Sequence, residues 1–304
     1  MSMESNVPSG GISRREILAR GAAGAVALSG LGAAVQALAA DATPGMTEGP
    51  YWVDEMLNRS DIREDPSTGQ VALGFPLRLT INVSKLDAAG KPSPLPGAYV
   101  DIWHCNAVGV YSDVAMQNTV GQKFLRGYQV TDARGMVKFV TVYPGWYSGR
   151  TVHIHFRVRV YDAATDSVTY NQVSQLFFND VLTDAVHLLP PYNQHPNRDT
   201  HNATDSIYNA DSDGDDVEDG DELLVTMSTK KDYALATYNV YLDLADGNGN
   251  GDDTGLNQGG GTPPDGGGTP PGGGGGPPPD GGTPPDGGFP PPDGGFPPGG
   301  PPPA

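Results

Sequence analysis

The sequence has 304 residues, with 18 Lys and Arg, 36 Asp and Glu and a net charge of −18. That balance gives no basic footprint for a nucleic acid or an anionic membrane surface. The single cysteine, Cys105, excludes an intramolecular disulfide framework and any multi-cysteine metal site.

The first 40 residues read as an export address. Arg14 and Arg15 precede a mildly apolar run, rich in Ala and Gly, from Gly21 to Ala40. It ends in Ala37-Leu38-Ala39-Ala40, a small-residue cleavage site near Ala39 or Ala40. This is the layout of a twin-arginine signal, which implies a periplasmic or extracellular protein. The run is weakly hydrophobic for an anchor, which needs about 20 strongly apolar residues, so no stable membrane span is expected after processing. The route carries folded proteins and hints at a cofactor inserted before export.

The middle of the chain reads as strands. Leu77, Leu79, Ile81 and Val83 alternate with polar residues, the period of a half-buried strand. Further candidates are 98–105, 124–130, 136–142, 153–160, 168–178, 223–228 and 238–244. Turn signals at Asp87–Gly90, Asp132–Gly135 and Pro144-Gly145 separate several of them. No long segment of period 3.6 follows residue 40. About eight short strands with little helix predict an all-β fold, an antiparallel β-sandwich with long surface loops, over residues 41–246. The connection 181–221 is expected to hold loops or short helices.

Half of the excess charge lies in the run Asp205 to Glu222. A solvated acidic loop is the reading, with weak Ca2+ binding as the alternative, because hard cations want clustered carboxylates. Residues 257–304 contain 19 Gly and 17 Pro, with repeats of Pro-Pro-Asp-Gly-Gly and no strict Gly-X-Y period. A disordered Gly/Pro tail is therefore expected over 247–304.

The chemistry is expected at 103–155. On a strand, His153 and His155 of His153-Ile154-His155 face one side, so their imidazoles converge while Ile154 points to the opposite layer. Such a pair suits a borderline metal and is equally compatible with ordinary packing. Tyr147 lies six residues upstream, Arg150 three, and Tyr111 follows Trp103-His104-Cys105-Asn106. Any one tyrosine is read first as a structural residue. Two phenolates and two imidazoles held at one point would favour a hard trivalent cation, Fe(3+) above all.

Five stretches in order carry a resemblance: Thr47 to Trp52, Pro96 to Trp103 continuing to Tyr111, Pro144 to Tyr147, Arg150 to His155, and Ser174 to Phe178. Together they resemble the intradiol ring-cleavage dioxygenases, the protocatechuate, catechol and hydroxyquinol group, over about residues 44–180. The resemblance implies a non-haem Fe(3+) held by Tyr111, Tyr147, His153 and His155. It implies that Tyr147 gives way to a catechol and that Arg150 stabilises negative charge beside the substrate. Gln175 would lie near the bound oxygen. Substrates would be a small aromatic diol and O2, the product a cis,cis-muconate-type diacid, and the assembly a homo-oligomer. His104, His187, His195 and His201 match no ligand position and are expected to be structural or surface residues. Two departures stand out. Only Ser148 and Gly149 separate Tyr147 from Arg150, which suggests an open pocket, and residues 41–75 show no dimerisation helices. The competing readings are an exported transthyretin-like module that binds a phenol or metal without cleaving it, and a structural envelope protein whose tail attaches to partners.

Overall fold

The computed structural model describes residues 39–245 and 249, apart from 163, 166 and 196. The twin-arginine run and the Gly/Pro tail lie outside the described residues. Among those described, no helix is long and apolar enough to cross a membrane, and nine strands form.

The strands are β1 (Pro76–Leu86), β2 (Pro92–Pro94), β3 (Tyr99–Trp103), β4 (Arg126–Val130), β5 (Met136–Val142), β6 (His153–Asp162), β7 (Ser167–Phe177), β8 (Thr226–Thr229) and β9 (Ala234–Leu242). They make two sheets. One runs β2-β1-β9-β8 with β5 also paired to β1, and the other runs β4-β3-β6-β7. The core lies between them. Leu77, Leu79, Ile81 and Val83 of β1 meet Val100 and Ile102 of β3, Ile154, Phe156 and Val158 of β6 and Leu176 of β7 in one buried cluster. Each such side chain contributes roughly 1.5–3 kcal/mol when fully buried. Residues 41–75 form no helix. The 178–225 connection carries helices α1 (Asp180–His187) and α2 (Asp219–Glu222) with 3-10 turns between them.

The expected all-β sandwich is present, with three differences. β9 lies parallel to β1, from Leu77 against Ala234 to Lys85 against Leu242. The long connection after β7 can bring the chain back in that direction, which a tight hairpin cannot. β9 also begins at Ala234, four residues before the strand expected from the sequence. Ala234 and Ala236 are buried between β1 and β8, and alanine carries little strand signal of its own. Conversely, Leu223 ends α2, so β8 starts only at Thr226.

The third difference positions the site. β6 is buried on both faces rather than half-buried. One face, with Ile154, Phe156 and Val158, packs into the inter-sheet core. The other carries His153, His155, Arg157 and Arg159 and is covered by the segment before β1. Glu48 pairs with Arg157, and the guanidinium of Arg157 lies 4.2 Å over the Trp52 ring. Asp54 and Asp101 both take Arg159, at 2.8 Å each. Buried cations are thus matched by carboxylates, as the low-dielectric setting requires.

Ile154, between the two histidines in sequence, anchors this stretch of β6 in the inter-sheet core. Ile154→Ala is expected to lower stability by about 3 kcal/mol through cavity formation. Urea denaturation followed by circular dichroism measures this; a loss under 1 kcal/mol would contradict the packing described.

Candidate active site

Four donor atoms converge at the end of β6. His153 Nε2 lies 3.1 Å from His155 Nε2, 3.3 Å from Tyr147 Oη and 3.4 Å from Tyr111 Oη. The two histidines share a face because they are alternate residues of β6. Tyr111 arrives from the loop after β3, where Gln117 Oε1 accepts its backbone N–H at 2.6 Å. Tyr147 arrives from the connection between β5 and β6. The sequence brings all four expected ligands together.

The tautomers and rings are held by neighbours. His153 Nδ1–H donates to Thr151 O at 2.7 Å, leaving its Nε2 lone pair to face the other donors. His155 stacks on Trp103, with centroids 4.9 Å apart and planes 5° apart. Tyr51 stacks on Tyr111 at 4.5 Å and meets Tyr147 edge-on at 6.0 Å. Gly49 has φ +70, and a side chain there would meet His155 Cε1 at 3.4 Å. The Thr47–Trp52 stretch therefore forms the cover of the site, its glycine allowing close approach to the imidazole.

Burial, with Arg150 nearby, pushes the His153 imidazole down to about 3. Burial and then the His153 charge push His155 well below the usual value. Both rings are neutral near pH 7, the form that ligates metal. Burial raises the Tyr111 and Tyr147 phenols above their ordinary value. Neutral phenols would become phenolates only beside a strong positive charge, which a bound metal supplies. The donor set fits a cation: the His155 imidazole nitrogen and two ionisable phenol oxygens lie 3.1–3.4 Å from the His153 Nε2. Bonds of about 2.1 Å to one ion bring neighbouring ligand atoms to about that separation.

Arg150 and Gln175 lie against this cluster and against each other. Arg150 Nη2–H donates to Gln175 Oε1 at 2.6 Å, and Gln175 Nε2–H donates to Thr47 O at 2.9 Å. Gln175 sits opposite His155 across the β6–β7 pair. Arg150 also pairs with Asp205 at 2.9 Å. Asp205 is a residue the sequence reading missed, assigning it to a solvated acidic loop. It is 1% exposed. Burial pushes its carboxyl up, yet Arg150 and the Thr151 N–H outweigh that and hold it below the usual range. The five uncharged residues between Asp205 and Asp211 are the signal that sets it apart from the run. Asp219 is buried as well, accepting from Ser212. Asp211, Asp213 and Asp215 are exposed, with one oxygen each within 4.8 Å of the others, as a solvated loop allows.

The short Ser148-Gly149 link is braced by the chain at 195–205. Trp146 Nε1–H donates to His195 O, Ser148 Oγ–H to Asp199, and Thr151 Oγ1–H to Asn202. The other histidines are structural or peripheral, as expected. His104 Nε2 meets Thr141 Oγ1 at 2.7 Å, His187 Nε2 lies 3.1 Å from Pro144 O, and His195 stacks on Trp146. His201 leads into the 3-10 turn at Asn202–Thr204. Burial pushes the Cys105 thiol up to about 12, so it stays protonated and unreactive.

The depressed histidines set a direction for acid stability. The unfolded chain takes up protons near pH 6.5, whereas folded His153 does so only near 3. The metal-free fold therefore loses stability as pH falls from about 6.5 towards 3. Its thermal midpoint should drop between pH 7 and 5, and the drop should shrink in His153→Asn. An identical slope in the variant would contradict the assignment.

Residues 47–180 match the family described as Dioxygenase. The structure is similar to that of an intradiol ring-cleavage dioxygenase from Tetranychus urticae, with TM-score 0.56 and 28% identity, covering 67% of this chain and 96% of that one. A second solved dioxygenase gives TM-score 0.55 and 27% identity, with coverage of 67% and 96%. The catechol 1,2-dioxygenase of Acinetobacter baylyi is 27% identical over 183 residues, which is 50% of this chain. The match spans 56% of the length of that curated relative. Residues 47–180 thus match a dioxygenase family, and the structure is similar to those of intradiol ring-cleavage dioxygenases.

Proposed function

We propose that this chain is an exported non-haem ferric dioxygenase that opens the ring of a catechol-type aromatic between its two hydroxyls, consuming O2 and yielding a cis,cis-muconate-type diacid. The observation that carries the reading is the convergence of Tyr111 Oη, Tyr147 Oη and His155 Nε2 to within 3.4 Å of His153 Nε2. The dioxygenase-family match over residues 47–180 and the similarity to a catechol 1,2-dioxygenase support it. Residues 1–40 act in this reading as the twin-arginine address, and the enzyme works outside the cytoplasm as a homo-oligomer.

Tyr111, Tyr147, His153 and His155 would hold the ferric ion, whose Lewis acidity would favour the ionised forms of phenol and catechol oxygens. The two tyrosines are not equivalent. Tyr111 is fully buried beneath Tyr51, whereas Tyr147 is partly exposed on a short two-residue link. Tyr147 is thus the phenol free to swing aside, and its Oη takes one proton from the incoming catechol. Arg150 holds a fixed positive charge beside the site, where it stabilises negative charge developing on substrate oxygens. The Gln175 amide, anchored on Thr47 O, presents its oxygen to Arg150 and keeps that cation facing the cluster. Tyr51 and Trp52 lie over Tyr111 and Trp103 and keep bulk water from the buried side of the site.

Oxygen uptake and product analysis with catechol test the reading on mature protein loaded with iron. His155→Ala is expected to lose iron and turnover. Tyr147→Phe should keep iron through three remaining donors and slow turnover by roughly 10²–10⁴-fold, the range for a lost proton-transfer group. Undiminished catechol cleavage by His155→Ala would overturn the assignment. Binding of catechol by fully loaded wild type without oxygen uptake would favour a phenol-binding module instead.

A further inference from the structure

We propose that Asp205 is a positioning residue for the reaction, fixing the Arg150 guanidinium against Gln175 so that one nitrogen remains for the substrate. This rests on the dioxygenase reading above. Asp205 comes from a distant part of the chain, 55 positions after Arg150, and its carboxylate is saturated by two separate sets of donors. Oδ2 accepts Arg150 Nε–H at 2.9 Å and the Thr151 N–H at 2.7 Å. Oδ1 accepts the N–H groups of Ile207 at 2.7 Å and Tyr208 at 3.2 Å. Four donors fill the lone-pair sites of one carboxylate.

The consequence is orientational. A guanidinium is a rigid planar fork, so two contacts on different nitrogens set both its position and its plane. Nε is committed to Asp205 and Nη2 to Gln175 Oε1 at 2.6 Å. Among the described residues, Nη1 makes no hydrogen bond, and the Arg150 side chain is 14% exposed. Nη1 is therefore the donor left for a substrate oxygen. The same Oδ2 also accepts the Thr151 N–H, and the carbonyl of that residue receives His153 Nδ1–H. One buried carboxylate thus registers the cation against the start of β6. Asp205 touches none of the four donor atoms and acts through Arg150.

Asp205→Asn removes the charge and leaves one acceptor oxygen for two pairs of donors, so the Arg150–Thr151 pair and the Ile207–Tyr208 pair can no longer both be satisfied. The variant is measured in wild-type and Arg150→Ala backgrounds for catechol kcat and KM, with iron content, visible spectrum and thermal midpoint as further readouts. The expected result is a fall in kcat of about tenfold or more in the wild-type background, at unchanged iron content. In Arg150→Ala the same substitution should change kcat by less than about twofold, because residues that act as one unit are not additive. Equal losses in both backgrounds, or no loss in either, would overturn the role. If Asp205→Asn does not fold, Asp205→Glu, which keeps the charge and displaces the carboxylate, is measured in the same two backgrounds. Absence of catechol-dependent oxygen uptake by iron-loaded wild type would instead overturn the dioxygenase reading and the role with it. An active wild type with additive variants overturns the positioning role alone.

Discussion

The outer face of the β4-β3-β6-β7 sheet is polar and yet buried, and every feature of the site follows from satisfying it. β6 places His153, His155, Arg157 and Arg159 in one row. Unpaired, such a row would be prohibitively unfavourable in a low-dielectric interior. Glu48, Asp54 and Asp101 match the arginines at one end of the row. At the other end the histidines face two tyrosines, the donor set proposed above to take a ferric ion. The chain before β1 is what seals the face, which explains how a sheet without a helical layer can shelter a site.

This arrangement also divides labour between rigid and adjustable parts. The histidines stand on a central strand, backed by the inter-sheet core through Ile154 and by the Trp103 ring. Tyr111 is locked by Tyr51 and by Gln117. Tyr147 and Arg150 stand on the short link between β5 and β6, and their surroundings come from residues 195–205. The two imidazoles are thus built into the sheet, whereas Tyr147 and Arg150 are carried on a link held by side-chain hydrogen bonds. Loops carried on a rigid scaffold commonly take such roles.

Much of this was legible in the sequence. Alternation alone located β1, β5 and β6, and it put both imidazoles on one face. The pairing of Tyr111 and Tyr147 with them was not derivable from period or spacing, because both lie on irregular backbone; the resemblance of the ordered stretches supplied it. The parallel placement of β9 was hidden because direction is a property of the whole 178–225 excursion, and its first residues, Ala234 and Ala236, carry no strand signature. Asp205 was hidden because a carboxylate in one run with eight others reads as solvated. Its burial depends on Arg150, a partner visible only in three dimensions.

The central claim is that the two tyrosines and two histidines form one ferric site that takes a catechol. The most direct test is the visible spectrum of iron-loaded mature protein, recorded before and after anaerobic catechol addition and again after oxygen is admitted. A tyrosinate-to-iron charge-transfer band that shifts with catechol and then decays as oxygen is consumed is the predicted result. A colourless protein with verified iron content would show that Tyr111 and Tyr147 do not ligate the metal, and would contradict the account.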